Sequence, residues 1–203
     1  MISVTLTVVL VGATSINLYF NIQNSVGSLD AGIEGTRLAD QAIIDYLTGV
    51  STADGLAGYF NEREIAHMAD VYRLFRDMRV LRVVAALSGL LLIGGAALKN
   101  RDWMRTFRKG GILGFALFLL PVLAIAIWAN IDFYIAFRAM HRLLFRNMLW
   151  ILSPETDLMI RIYPQAFFEQ IALRLALFSA LFAPIPPLLM IVAPFFGRKY
   201  LRR

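Results

Sequence analysis

The sequence predicts an all-α integral membrane protein: a single membrane domain over residues 1–203, with four transmembrane helices and two extracytoplasmic helical segments at the outer membrane interface. Of the 203 residues, 59% are hydrophobic and the mean hydropathy is +0.65, which is too apolar for a water-soluble domain of this length. Four apolar stretches are long enough to cross a bilayer as helices. Basic residues are concentrated beside these stretches, as is typical of membrane proteins.

The four predicted spans cover residues 2–20, 80–98, 111–131 and 171–196. The first has no basic flank before it and no convincing small-residue cleavage site after it, so we interpret it as a retained span rather than a signal peptide. The fourth contains prolines at positions 184, 186, 187 and 194. Each proline removes a backbone donor and clashes with the preceding turn, so a kink is expected there.

The charges of the connecting segments predict the topology. The loop 99–110 has five basic residues and one acid, and the tail 197–203 has four basic residues, whereas segment 21–79 has nine acids and five arginines. By the positive-inside rule both termini are cytoplasmic, and segments 21–79 and 132–170 lie outside. The net charge of +6 is therefore explained by the membrane, and nucleic acid is not expected as a partner.

The outer segment 21–79 is predicted to contain two helices. Four apolar residues at near-helical spacing indicate an amphipathic helix at the interface: Leu38, Ala42, Ile43 and Leu47. Glycines at 49, 55 and 58 predict a break after it. The next helix is expected to begin at Asn61 as N-cap, with Glu62 and Glu64 in its first turn, and to continue into the second span.

The nucleophiles that the chain lacks limit its chemistry. It has no cysteine, so thiolate catalysis, thiolate metal sites and disulfides are excluded. Ser88 lies in "ALSGL" within a predicted span and not in a nucleophile elbow, and no glycine-rich phosphate loop precedes a helix. An enzyme of this sequence would therefore take its nucleophile from the substrate or from water.

The first histidine lies in "FNEREIAHMADV", residues 60–71. On a helix that begins at Asn61, Glu64, His67 and Asp70 share one face. Glu-x-x-His is also the di-iron motif, but its second copy is missing. Two alternatives stay open here: a single zinc held by His67, His141 and a carboxylate, and an interfacial histidine paired with Asp70.

The second histidine lies in "FRAMHRLLFRNMLWILSPETDLMIRIYPQAFF", residues 137–168. This stretch places His141, Asn147, Asp157 and Arg161 among aromatic residues, on the same predicted side as His67. Histidine titrates near neutral pH, and a nearby carboxylate can fix its tautomer. Two histidines that face one compartment therefore predict a proton-transfer site.

The blocks "FNEREIAHMADV" and "MHRLLFRN", followed in order by "W", "PETDLMI", "YP" and "FF" between four spans, resemble the bacterial lipoprotein intramolecular transacylase (Lit) family. The resemblance covers nearly the whole chain and is most specific in the histidine blocks. It implies a bacterial cytoplasmic membrane enzyme that moves the sn-2 acyl chain of a lipoprotein's S-diacylglyceryl cysteine onto that cysteine's own α-amine. Diacylglyceryl lipoproteins and membrane lipid are then the partners, and no cofactor is implied.

The same resemblance implies that His67 and His141 are the catalytic pair. Asp70, Asn147 and Asp157 are carried over with them as supporting residues, and Glu64 and Arg161 are added from their places in the two blocks. Arg142 departs from the pattern, because an acidic residue is expected after the second histidine. The substrate amine needs a base, and the oxyanion needs a donor, for which Asn147, Arg161 or a protonated histidine are candidates.

Two other functions remain as alternatives at this point. One is a metal-dependent membrane hydrolase, which a bound stoichiometric zinc would favour. The other is a non-enzymatic scaffold or transport subunit, in which both histidines would tolerate substitution. The scarcity of charges within the spans weakens the second alternative, because only Arg82 and Arg174 occur there, near the ends.

Overall fold

The structure is a computed structural model that describes residues 2–28, 32–99 and 127–182, and residues 110, 114, 119–120, 123–124 and 185 between or beyond them. Its helices are α1 (Ile2–Ala13), α2 (Ile16–Val26), α3 (Gly32–Thr48), α4 (Glu62–Lys99), α5 (Phe133–Leu144), α6 (Leu158–Ile162) and α7 (Gln165–Phe182), with a 3-10 turn at Ala53–Leu56. Residues 127–131 are also helical. The described part contains no strand, which agrees with the all-α prediction.

The first predicted span is divided into two helices. The hydroxyl of Thr14 donates to the carbonyl oxygen of Leu10 at 2.8 Å, and the Ser15 side chain caps α2 by accepting from the backbone N–H of Leu18. These local bonds replace the helical ones at the break. Residues 2–20 are therefore not one continuous helix, and hydropathy alone did not reveal the break.

Two of the described helices are long and apolar enough to cross a membrane, namely α4 and α7. The predicted span 80–98 lies within α4, where the side chains between Val80 and Leu92 are mostly exposed, as lipid-facing residues are. The predicted fourth span starts within α7. Almost all of the basic loop, most of the third span, the four prolines and the basic tail lie outside the described residues. The count of four spans therefore stays a prediction.

Helix α1 packs against α4 and α7, and α2 packs against α3 and α7. The contact between α1 and α7 is close at Gly12, where a Cβ atom would lie 2.4 Å from Cδ2 of Leu175. Glycine is therefore needed at this crossing unless the Leu175 side chain moves.

A hydrophobic core joins α2, α3, the first turns of α4, and α6 with the start of α7. Its most enclosed residues include Ile22, Leu56, Ile162, Phe167 and Leu47. The predicted amphipathic helix is confirmed as α3, but Leu38 was wrongly assigned to its buried face, since that side chain is 51% exposed. Helix α3 ends before Gly49, whose φ of 83° favours glycine, as the sequence predicted.

Candidate functional site

The first turn of α4 is fixed by a reciprocal cap. The side chain of Asn61 accepts a hydrogen bond from the backbone N–H of Glu64 at 3.0 Å, and the Glu64 carboxylate accepts one from the backbone N–H of Asn61 at 2.8 Å. This is the capping-box arrangement with asparagine as the N-cap. The predicted start of the helix is confirmed, and His67 follows one turn after Glu64.

The carboxylates of Glu64 and Asp157 connect this turn to the second histidine block. The other oxygen of Glu64 accepts from the backbone N–H of Met159 at 2.6 Å. Asp157 accepts from Asn61 Nδ2 at 2.8 Å and from the backbone N–H of Ser153 at 2.7 Å. Burial alone would raise the pKa of Asp157, but these hydrogen bonds, with the one from Thr156, lower it below its usual value. Glu64 and Asp157 therefore hold the two blocks together rather than face the histidines.

His141 lies in the last turn of α5, and its tautomer is set by a backbone carbonyl. Its Nδ1 is 2.8 Å from the carbonyl oxygen of Phe137, four residues earlier. Because a carbonyl oxygen can only accept, we assign the proton to Nδ1. The lone pair of Nε2 is then left to act as a base.

His67 and His141 come together although 74 positions separate them in the sequence. Their ring centroids are 6.3 Å apart, the planes are inclined by 36°, and each residue is only 8% exposed. Nδ1 of His67 is buried, and no described residue forms a hydrogen bond with it. Such a group is unusual in a folded protein and needs a functional or structural explanation.

Aromatic rings enclose the two histidines. Trp150 lies 5.0 Å from His141 between centroids, Phe137 lies 4.0 Å from it, and Phe145 lies 5.3 Å from His67. Phe137 and Phe145 were not predicted as site residues from the sequence. Trp150 was noted only as part of the motif that resembles the family. The spacing of Phe137 and Phe145, one turn before and one turn after His141, was the available signal.

Burial changes the titration of both histidines. Burial, and to a smaller extent the neighbouring His141, lower the pKa of His67 to about 4, against the opposite effect of Asp70. Burial also lowers the pKa of His141, against the effect of its hydrogen bond to Phe137. Both rings lie outside the predicted spans and are neutral at neutral pH.

Asp70 is bound to groups other than His67. One carboxylate oxygen accepts from Arg73 at 2.6 Å, and the other accepts from Asn147 Nδ2 at 2.7 Å. Asn147 also accepts from the backbone N–H of Leu149, so it fixes the turn that carries Trp150. The alternative of a satisfied histidine paired with Asp70 is therefore wrong, and Asp70 acts on His67 through its charge.

The remaining predicted site residue is Arg161, which lies on the short helix α6 with an exposed side chain. Of the predicted set, the histidines thus form the centre, Asp70 and Asn147 border it, and Glu64 and Asp157 support it. Within the ranges that the structure describes, no group of three or more histidine and acidic residues is placed to hold a metal ion. The predicted zinc arrangement with a carboxylate is therefore not found there.

The helical architecture of the described residues, with two helices long and apolar enough to cross a membrane, and the buried histidine pair define a membrane protein with a site suited to acid–base chemistry. A family model described as "Lipoprotein intramolecular transacylase Lit" matches residues 1–168. The chain therefore belongs to the Lit family, and it is an acyltransferase-type membrane enzyme that acts on lipoproteins, as the resemblance implied.

A solved structure supports the fold. The in meso structure of the membrane integral lipoprotein intramolecular transacylase Lit from Bacillus cereus superposes with a TM-score of 0.74 at 18% sequence identity. The match covers 99% of this chain and 91% of the other. The comparison with curated protein sequences gave no match.

Proposed function

We propose that the chain moves the sn-2 acyl chain of an S-diacylglyceryl cysteine onto the α-amine of the same cysteine and so produces a lyso-form lipoprotein. The proposal places the enzyme in the bacterial cytoplasmic membrane with both termini cytoplasmic and the site on the outer side. The observation that carries it is the pairing of His67 and His141 at 6.3 Å within an aromatic enclosure. No cofactor is required, because the substrate supplies the nucleophile.

His141 is the proposed base. The neutral α-amine attacks the ester carbonyl carbon, and the nitrogen, now positively charged, passes one proton to Nε2 of His141. When the tetrahedral intermediate collapses, the bond from the acyl carbon to the glycerol oxygen breaks and that oxygen receives the same proton. The products are an amide and a free hydroxyl, and no water is consumed. The Phe137 carbonyl supports this role because it keeps the proton of the resting ring on Nδ1.

His67 is the proposed donor to the developing oxyanion. Its buried and unpartnered Nδ1 can carry a proton and donate to the carbonyl oxygen of the ester. Asn147 was an alternative donor, but its amide already binds Asp70 and the backbone of the turn. Donation from a fixed group in a water-poor site stabilises the transition state more than the ground state.

Ring closure contributes to the rate as well. Amine and ester belong to one molecule, and the transition state closes a ring of about eight atoms, so holding the flexible lipid in that shape removes several kcal/mol of entropic cost. A buried site also favours the neutral form of the α-amine, whose reference pKa is about 8. Both effects fit a site that is enclosed by rings and excludes water.

Mass spectrometry of the N-terminal peptide of a co-expressed diacylglyceryl lipoprotein tests the proposal. The wild-type chain should transfer one acyl group from glycerol to the amine, and His67→Ala and His141→Ala should each reduce this by roughly 100-fold or more. Asp77→Ala, on the same helix as His67 but paired with Arg76, is the matched control and should keep activity. Normal conversion by both histidine variants contradicts the assignment. Loss of the acyl mass without transfer would identify a hydrolase instead, for which chelator sensitivity is the next measurement.

A further inference from the structure

A second cluster of buried polar side chains lies apart from the histidines, between α2, α3 and the end of α6. Gln23, Thr36 and Asp40 are completely buried, and Tyr163 is 5% exposed. The reaction proposed above uses none of them. A carboxyl group in such a place needs a charge partner, a proton or a bound ligand.

The donor groups of Gln23, Tyr163 and Ser28 in and beside this cluster are already used. Gln23 Nε2 donates to Asp40 Oδ1 at 3.0 Å and to the carbonyl oxygen of Ile162 at 3.4 Å. The Tyr163 hydroxyl donates to the same Asp40 oxygen at 2.5 Å, and Ser28 donates to Ile162 at 3.2 Å. Burial, and then the nearby Asp40, raise the pKa of Tyr163 well above its usual value, so this phenol keeps its proton.

Among the described residues, three buried oxygens of this cluster have no hydrogen-bond partner: Gln23 Oε1, Asp40 Oδ2 and Thr36 Oγ1. Two of them belong to the planar groups of Asp40 and Gln23, which already share one hydrogen bond. An ionised Asp40 would leave two acceptors and only the Thr36 hydroxyl to satisfy them. A proton on Oδ2 supplies the missing donor, because a carboxylic acid and a carboxamide can pair through two bonds.

We propose that Asp40 is a neutral carboxylic acid that donates from Oδ2 to Gln23 Oε1 and acts as a positioning residue for the histidine site. The paired groups hold α3 against α2. They also fix the end of α6, because Gln23 donates to the Ile162 carbonyl and Tyr163 donates to Asp40.

The groups that face Asp40 agree with a neutral acid. Tyr19 from α2 and Tyr163 are phenols, and the cation that acts on Asp40 is Arg37, an exposed residue of its own helix. Burial raises the pKa of Asp40 above its usual value, against the effects of the bonds from Tyr163 and Gln23 and of the charge of Arg37. Among the described residues, no cation forms an ion pair with Asp40.

The cluster is connected to the histidines through α6. Ile162 ends this helix, and Met159 within it donates to Glu64, one turn before His67. Asp40 thus places the segment that supports the start of α4. This positioning role rests on the proposed function, whereas the protonation of Asp40 does not.

Infrared spectroscopy of the purified full chain tests the proton directly. At neutral pH exposed carboxyl groups are ionised and do not contribute a carboxylic-acid band. The wild type should therefore show a carboxylic-acid band that Asp40→Asn removes and Asp45→Asn, on the same helix, retains. Absence of the band overturns the proposal and would point to a bound water or cation at the three oxygens.

Stability and turnover provide the second measurement. The amide of Asp40→Asn can donate to Gln23 and accept from Tyr163, so activity should stay within about threefold of wild type, while Asp40→Ala should lose about tenfold or more. Because the folded-state pKa of Asp40 is raised, wild-type stability falls as pH rises towards it, and Asp40→Asn should gain in thermal midpoint relative to wild type with rising pH. An Asp40→Asn chain that fails to fold, or behaves like Asp40→Ala, overturns the inference. If all chains are inactive on lipoprotein, the infrared and unfolding results still decide it.

Discussion

Nδ1 of His141 lies 2.8 Å from the carbonyl oxygen of Phe137, within the same helix. This bond fixes both the tautomer and the orientation of the ring, so Nε2 points in a fixed direction. No described residue is such a partner for Nδ1 of His67. The two rings therefore differ in what they can do, although each is equally buried.

The titration of the two histidines can be followed by nuclear magnetic resonance of ¹⁵N-histidine. Since the chain has two histidines, two imidazole signals are expected, and His67→Gln assigns them. His67 should titrate near pH 4 and His141 below its usual value, because burial disfavours the charged rings. Midpoints near 6.5 for both would mean that the rings are hydrated.

Folding stability should depend on the same groups. The pKa of His67 is lowered in the folded chain, so its contribution is fully present above about pH 6.5 and is lost as the pH falls towards 4; the full effect is about 3 kcal/mol. Asp40 has a raised pKa and acts in the opposite direction. Thermal unfolding of wild type and His67→Gln at each pH isolates the histidine term. A difference that does not change between pH 4 and 7 would contradict the prediction.

Asp70→Asn should lower the pKa of His67 further. The negative charge of Asp70 favours the protonated ring, and an amide at this position removes that charge. The same resonance titration measures the shift. Asp77→Asn is the control, since Asp77 lies on the same helix but is exposed and paired with Arg76. An unchanged His67 midpoint in Asp70→Asn would show that the carboxylate does not act on the ring.

Glu64→Gln should destabilise the chain. The carboxylate accepts two backbone hydrogen bonds, whereas an amide offers one oxygen and turns its NH2 group towards a donor, at a cost of about 1–3 kcal/mol. Glu62→Gln, exposed in the same turn, is the matched control and should change the free energy of unfolding little. Chemical denaturation in detergent gives both values. Equal stability of the two variants would show that the hydrogen bonds of Glu64 to Asn61 and Met159 do not stabilise the fold.

The sequence predicted those parts of the structure that depend on local pattern. The start of α4 at Asn61, its continuation through residues 80–98 and the break at Gly49 follow from caps, hydropathy and glycine, which act over a few residues. The shared face of Glu64, His67 and Asp70 was also predicted, but their partners were not. Glu64 binds Met159, and Asp70 binds Asn147, in each case across more than 70 positions of sequence.

Asp40 shows why the rest could not be predicted. In "TRLADQAIIDYL" it is an ordinary acid on the polar side of an amphipathic helix, and only the approach of Gln23 and Tyr163 buries it. Leu38 was wrongly predicted to be buried. Helix periodicity shows which side of a helix is apolar, but it does not show where the buried surface on that side ends. The pairing of the histidines was predicted from the charge-derived topology, which places both on one side of the membrane, and from the family resemblance, but not from spacing.

The unbroken helix α4 has one more consequence. Its 38 residues extend about 57 Å, nearly twice the hydrocarbon thickness of about 30 Å, and His67 lies about 48 Å along the axis from Lys99. The apolar segment that can cross the membrane and His67 thus belong to one continuous helix, which fixes the distance between them. The tilt of α4 sets the height of His67 relative to the bilayer, so the thickness of the bilayer can act on the site without changing any of its residues.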